Sequence, residues 1–498
     1  MSWLFWHAVC NIISERETFP KMKLKDIILF IVLLPSVSFA VTDTLRLTLD
    51  EAIEIAQSHS SDAKVARHTF LAAEWSYKFH KANYLPTLTF TSGPSLNRVI
   101  SKITQPDGTS LFVEQNQLST NATLGLTQNV PFTGGQLFLK SSLLRQDEFA
   151  NGSVAYNSQP VVVGYQQTLF GYNSLKWDKR IEPVRYDAAR KSYNESMELI
   201  ASRTVSYFFN VAQAQSVHEI AMYNSASADT LSRYARGRYN IGTITENEML
   251  QLELNRITAE TNVLDARNLL DDAVQSLRSY LALDNDIIIE VEADTKIPAC
   301  KTNAGKAIRL AYEHNPTPME YKIATLSSHS NLAQAKAASG LKADLYIQFG
   351  LSQTAGNLND SYRSLLDQQY VSIGLTLPIL DWGRGKGRVR IAESNVNLVE
   401  TQIEQAYKDF ENNIIKMVRQ FNLQAHRVES AEKTASLAQR RYEVARHLYL
   451  QGKSTILDLN TATQEKDYAH RSHINAIATF WELYYGLRSL TGGKIFTE

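Results

Sequence analysis

The 498-residue chain holds two cysteines, Cys10 and Cys300. Two thiols cannot build a disulfide framework. Neither sign of charge is in surplus, with Lys+Arg and Asp+Glu at 51 each. That balance offers no basic field for nucleic acid. No G-x-S-x-G elbow, P-loop or H-E-x-x-H motif occurs, and no convergent catalytic cluster stands in for one. The chain reads as a non-enzyme with no cofactor. Past Ala40 no run of about 20 apolar residues occurs, so that part holds no membrane-spanning helix. Glycine and proline are missing from Val184–Arg236 and from 388–451. Without those breakers, long uninterrupted helices are expected.

The amino end reads as an export signal over 1–40. From Met22, where translation is expected to start, Lys23 and Lys25 precede an apolar core at 27–34. Ser38-Phe39-Ala40 then offers a small-x-small cleavage site. A cut after Ala40 removes Cys10 and leaves Val41 first, so no amino-terminal lipid anchor is expected.

Beyond the signal the sequence repeats itself. AIEIAQSHS at 52–60 recurs as AIRLAYEHN at 307–315, an offset of 255. TLFGYN at 168–173 then aligns with PILDWG at 378–383, an offset of 210. The first half therefore carries roughly 45 more residues than the second. The expected divisions are a first repeat at 43–292 and a second at 293–493. The excess is placed at about 94–160. GLTQNVPFTGGQLFLKSS at 125–142 reads as a hairpin around Thr133-Gly134-Gly135.

Each half runs helices, strands, helices. Val371, Ile373, Leu375 and Leu377 alternate with Ser372, Gly374 and Thr376. That period of two marks strands with one apolar and one polar face. Combined with export, it points to an apolar-outside barrel in an outer membrane. In 388–451, apolar residues from Val396 to Tyr449 recur every 3.5 residues or so, the period of supercoiled helices. Such a helix would be roughly 96 Å long, whereas the bilayer core is about 30 Å thick. Most of its length must lie in aqueous space. Helices returning over about 244–282 and 454–490 follow Gly242 and Gly452. Four to six strands cannot close a barrel alone, since about eight are needed. Lipid tolerates no open sheet edge, so copies must share one barrel.

At this point the sequence resembles the TolC-like outer-membrane efflux proteins over roughly 45–493. LTLDEAIEIAQSHS at 47–60, LPTLTF at 85–90, GLTLPILDWGRGKGRVRIAESN at 374–395 and YLQGKSTILDLNTATQEKDYAH at 449–470 carry the likeness, with the duplication. The resemblance implies an α+β homotrimer. A shared β-barrel would sit in the outer membrane of a Gram-negative bacterium, among its lipids. An α-barrel would extend into the periplasm. It further implies a passive exit duct for drugs, metals or proteins. The partners would be a periplasmic adaptor and an inner-membrane pump of RND or ABC type. The competing reading is a periplasmic coiled-coil adaptor or structural protein, which needs no paired alternating strands.

The resemblance also suggests where the periplasmic aperture lies. Gly452 matches a turn glycine, Tyr449 an aromatic gate position, Asp458 a constricting carboxylate and Glu248 an acidic position after Gly242. Thr461 stands where a second constricting Asp is expected, and Ser454, beside Lys453, where a linking Arg is expected. Three carboxylates around one axis would favour cations and raise one another's pKa. The tips at Gly242-Thr243 and Gly452-Lys453-Ser454 would face the adaptor. His470 and His473 are spaced to share a metal, but no third ligand is evident.

Overall fold

The computed structural model describes residues 44–284, 288–293 and 296–496. The export signal at 1–40 lies outside them. Arg46–Asn285 with Ile289–Glu498 cluster as one compact unit.

The unit opens with α1 (Leu49–His59) and α2 (Ser61–Ala82). Thr48 caps α1 in a reciprocal box with Glu51, and Ser60 caps α2. Four strands follow: β1 (Thr87–Thr104), β2 (Ser110–Val130), β3 (Gly135–Glu148) and β4 (Ser153–Leu169). Then come α3 (Ser174–Asn240) and α4 (Glu246–Leu281). The same order returns as α5 (Ala304–His314), α6 (Thr317–Ser339), β5 (Lys342–Ala355) and β6 (Leu366–Thr376). It ends with α7 (Arg384–Leu450) and α8 (Ile456–Leu490). To the six-stranded sheet the first half thus contributes four strands and the second two; the short strands Thr44–Leu47 and Ile288–Val291 form a separate pair. The additional pair includes the hairpin around Thr133-Gly134-Gly135, where β2 turns into β3.

Helices α3 and α7 have 67 residues each, roughly 100 Å of rod. α7 starts at Arg384, earlier than the glycine-free run suggests. Asp381 makes that start possible. Its carboxylate accepts from the Gly383 and Gly385 N–H groups at 2.9 and 2.7 Å, satisfying the orphan donors of the first turn. α3 passes through Pro183 without a break.

The six strands form one antiparallel sheet in the order β1-β2-β3-β4-β5-β6. Register aligns Leu88 with Leu126, Leu126 with Leu139, Leu139 with Val163 and Val163 with Phe349. Ile347 pairs Val371, and Leu345 pairs Ile373. All of these share one face, and Leu88, Ile373 and Leu375 are 64%, 61% and 71% exposed. The other face carries Thr89, Gln166, Gln348 and Ser372. An apolar face left open, backed by a polar one, is the pattern of a lipid-facing wall. Among the described residues, both edge strands, β1 and β6, keep one side without a ladder partner. The β1–β2 ladder continues to Thr104↔Ser110, while β3 meets β2 only as far as Gln117↔Glu148. The end of that hairpin therefore stands clear of the sheet.

The helices pack side by side. Near the sheet the lateral order is α2, α3, α6, α7; towards the tips it is α4, α3, α8, α7. Buried Val205, Phe208, Ile414, Phe421 and Phe480 fill the seams. No described helix is long and apolar enough to cross a membrane.

Candidate functional site at the paired helix tips

Each long helix stops at a glycine in the left-handed region, Gly242 and Gly452, both at φ 73°. The closures are the same. Gly242 N–H donates to the Tyr239 carbonyl and Thr243 N–H to Arg238, each at 2.9 Å. Gly452 N–H donates to Tyr449 and Lys453 N–H to Leu448, again at 2.9 Å. These bonds satisfy helix-end carbonyls, and only glycine takes that backbone without strain.

The returning helices are capped alike. Thr245 Oγ1 accepts from Glu248 N–H, and the Glu248 carboxylate accepts from Thr245 N–H, both at 3.3 Å. Thr455 and Asp458 form the matching box at 3.2 and 3.3 Å. Asp458 Oδ2 also accepts from the Thr455 hydroxyl at 2.8 Å and the Ser454 hydroxyl at 3.1 Å. In the protomer, then, both candidate aperture carboxylates hold helix starts. The Thr455 hydroxyl, joined by Thr455 N–H and Ser454, holds the Asp458 carboxyl below its ordinary range. This works against the upward push expected from like charges around an axis.

Tyr449 is 4% exposed, packed with Leu231, Leu252, Tyr442, Ile456 and Leu459. Burial, helped by the nearby Glu248, pushes its phenol up. Gly242, Thr243, Gly452 and Lys453 are exposed, and Ser454 is half-buried. Thr461 donates its hydroxyl back to the Leu457 carbonyl at 2.9 Å. Among the described residues, no group of three or more His, Cys, Asp or Glu side chains could hold a metal.

Sequence reasoning missed the residues that join the two tips. Tyr234 of α3 donates its hydroxyl to the Leu450 carbonyl of α7 at 3.1 Å. Arg238 donates from Nε to Thr243 Oγ1 at 3.4 Å, and its Nη2 lies 3.4 Å from where a Gly452 Cβ would stand. Higher up, Glu253 of α4 binds Ser232 and Arg236 of α3 and Arg256 of α4 at 2.7, 2.9 and 3.0 Å. The Ser232 hydroxyl and Arg256 bring its carboxyl down to about 2. Arg441 of α7 pairs with Glu465 of α8. No local pattern marks the tip links, because their partners are distant in sequence. The T-x-x-E and T-x-x-D spacings of the capping boxes, by contrast, are visible.

The outer membrane efflux protein family profile matches residues 52–283 and 307–493. The outer membrane protein TolC of Escherichia coli K12 is 22% identical over 343 residues, 66% of this chain and 68% of TolC. Toxin and drug export protein A of Aggregatibacter actinomycetemcomitans is 21% identical over 392 residues, 76% of this chain and 82% of that protein. The outer membrane protein VceC of Vibrio cholerae superposes with TM-score 0.64 at 15% identity, covering 89% of this chain and 96% of VceC. The CmeC outer membrane channel of Campylobacter jejuni gives 0.64 at 15%, covering 90% and 87%. These structural matches carry the fold, and the family match spans both halves of the sequence. The chain belongs to the outer membrane efflux protein family and is an efflux channel of the outer membrane.

Proposed function

We propose that three copies close into one continuous tube, a passive exit duct coupled through a periplasmic adaptor to an inner-membrane pump. The observation that carries this is the open sheet. Among the described residues, β1 and β6 each lack an outer partner, and the sheet's apolar face is uncovered. An open edge is untenable in lipid. The chain runs in opposite directions along β1 and β6, so β6 of one copy can extend the antiparallel ladder of β1 in the next. Three sheets of six strands would close as an 18-stranded barrel, an even number within the known range.

The helices repeat the same asymmetry. The flank that carries β1 also carries α2 and α4, and the flank that carries β6 carries α7. Leu250, Leu254, Ile257 and Leu264 of α4 are exposed at coiled-coil spacing. Leu437, Val444 and Leu448 of α7 are exposed at matching spacing. Docking α4 of one copy on α7 of the next buries both stripes. The repeat divisions at 43–292 and 293–493, with the excess near 94–160, belong to this reading.

At the periplasmic end the six tips would ring the aperture, with Asp458 and Glu248 as its carboxylates and Tyr449 as a buried gate support. Gly242, Thr243, Gly452, Lys453 and Ser454 would face the adaptor. The test is fractionation and semi-denaturing electrophoresis of the full chain, followed by insertion into planar bilayers. A heat-dissociable outer-membrane trimer that conducts is expected. A water-soluble monomer would defeat the reading.

A further inference from the structure

Lys466 lies on α8, about 15 Å past the turn at 1.5 Å per residue, where α3 and α7 both press against it. Its side chain is only 8% exposed. Nζ stands 4.4 Å from the ring centre of Tyr442 on α7 and 5.1 Å from that of Tyr223 on α3. It donates to Asn224 Oδ1 at 3.1 Å and lies 3.1 Å from Asp467 Oδ1. Asn224 donates in turn to Asp467 Oδ2 at 2.7 Å. One ammonium is therefore held by groups from three helices, across the seam where the α7–α8 hairpin meets α3.

A buried cation is costly unless it is paired and hydrogen-bonded, and its attested use is to fix register rather than to add stability. On the tip side of Lys466 the seam is an apolar cluster of Leu231, Ala235, Leu252, Ile456 and Leu459. It is crossed by neutral hydrogen bonds from Tyr234 to the Leu450 carbonyl and from Asn255 to Asn460, and by no other buried charge among the described residues. Apolar surfaces resist separation but tolerate sliding, whereas a cation seated between two rings and a carboxylate has one good position. The tip carboxylates themselves are engaged by their own threonine caps.

We propose that Lys466 is a positioning residue that pins the register between the two hairpins and holds the aperture narrow at rest. The proposal rests on the channel reading above. In this proposal the aperture widens as the α7–α8 hairpin shears along α3. The ammonium must leave Tyr223, Tyr442 and Asn224 before that movement begins.

The experiment is planar-bilayer conductance of purified full-length trimers. Lys466→Met keeps the stem and removes the charge; conductance per trimer should rise severalfold while the heat-dissociable trimer is retained. Asn224→Leu, which leaves the lysine in place without its acceptor, should raise it in the same direction. Asn255 donates to Asn460 Oδ1 at 3.2 Å across the hairpins on the tip side of the pin. Cysteines at both positions, in a Cys300→Ser background, can be bridged with a short thiol crosslinker. Bridging them in the Lys466→Met protein should restore the low conductance, which a merely structural role for Lys466 would not predict. Trimers of both variants that conduct like wild type, or an elevated conductance that the crosslink leaves unchanged, would overturn the pin. A wild-type protein that forms no trimeric channel would instead bring down the channel reading itself, and it is seen before any variant is made.

Discussion

Phe138 of β3 lies flat across Gly164 of β4, its direct cross-strand partner. A Cβ on Gly164 would stand 2.2 Å from Phe138 Cζ and 2.5 Å from the Ile347 carbonyl oxygen. The ring is 3% exposed and stacks on Tyr346 at 5.6 Å. An aromatic ring covering a strand glycine restores packing that glycine leaves out and pins the register. Gly164→Ala should therefore destabilise the sheet by about 1–3 kcal/mol, the range of overpacking. The backbone oxygen of Ile347 cannot move aside as a side chain could. The measurement is the temperature at which the proposed trimer dissociates in semi-denaturing gels. An unchanged temperature would mean that the ring relocates freely.

Asp458 makes two predictions of opposite kind. Asp458→Ala should reduce cation selectivity in bilayers, read as a reversal potential closer to zero. It should also weaken the start of α8 by removing half of a capping box. The pH dependence has a definite sign. A carboxyl whose folded pKa is depressed stabilises the fold above its unfolded pKa, and that stability is lost as pH falls through the folded value. Asp458 is lowered by the Thr455 hydroxyl from an ordinary value of 3.8. Selectivity should thus persist as the solution passes that pH from above. In Thr455→Ala it should fade at higher pH, a difference read by titrating reversal potential in both proteins.

The two turn glycines invite a paired comparison. A Cβ at Gly242 meets nothing within 4 Å, and one at Gly452 meets only Arg238 Nη2 at 3.4 Å. Alanine at either position should cost about 1 kcal/mol through the left-handed backbone alone. Neither cost should change when Arg238→Ala is added, because 3.4 Å from the end of a flexible side chain is ordinary contact. Thermal unfolding of wild type, the three single variants and the two double variants checks this.

Glu253 should act as an acid-resistant staple between α3 and α4. Its carboxyl is brought to about 2, so its contribution survives at ordinary and mildly acid pH. It disappears only as pH falls towards that value. Glu253→Gln should lower thermal stability at neutral pH, and the gap from wild type should close in strong acid. Circular dichroism melts across pH give the comparison.

Much of the architecture was legible because it rests on short-range signals. The glycine-free runs marked the long helices, and Thr133-Gly134-Gly135 marked the hairpin between β2 and β3. The start of α7 is hidden in the sequence because Gly385 and Gly387 look like breakers. Their helical state depends on the Asp381 carboxylate capping the N–H groups of Gly383 and Gly385. Lys466 lies in the polar run T-Q-E-K-D-Y, which reads as a solvated surface; its burial depends on Tyr223, more than two hundred residues earlier. Tyr449 read as a gate residue, and only tertiary packing shows it enclosed among Leu231, Leu252 and Ile456. The tip carboxylates carry charge near a helix start, and their spacing from Thr245 and Thr455 also announces a helix cap.

The two flanks of each copy are unlike, one bearing β1, α2 and α4 and the other β6 and α7. In the closed ring proposed above, every copy offers both a plug and a socket. A chain spoiled on a single flank would still enlist a healthy sister through its good side and strand it in a ring that cannot finish. Such an allele would be dominant over the normal gene, whereas one spoiled on both flanks would be silently recessive.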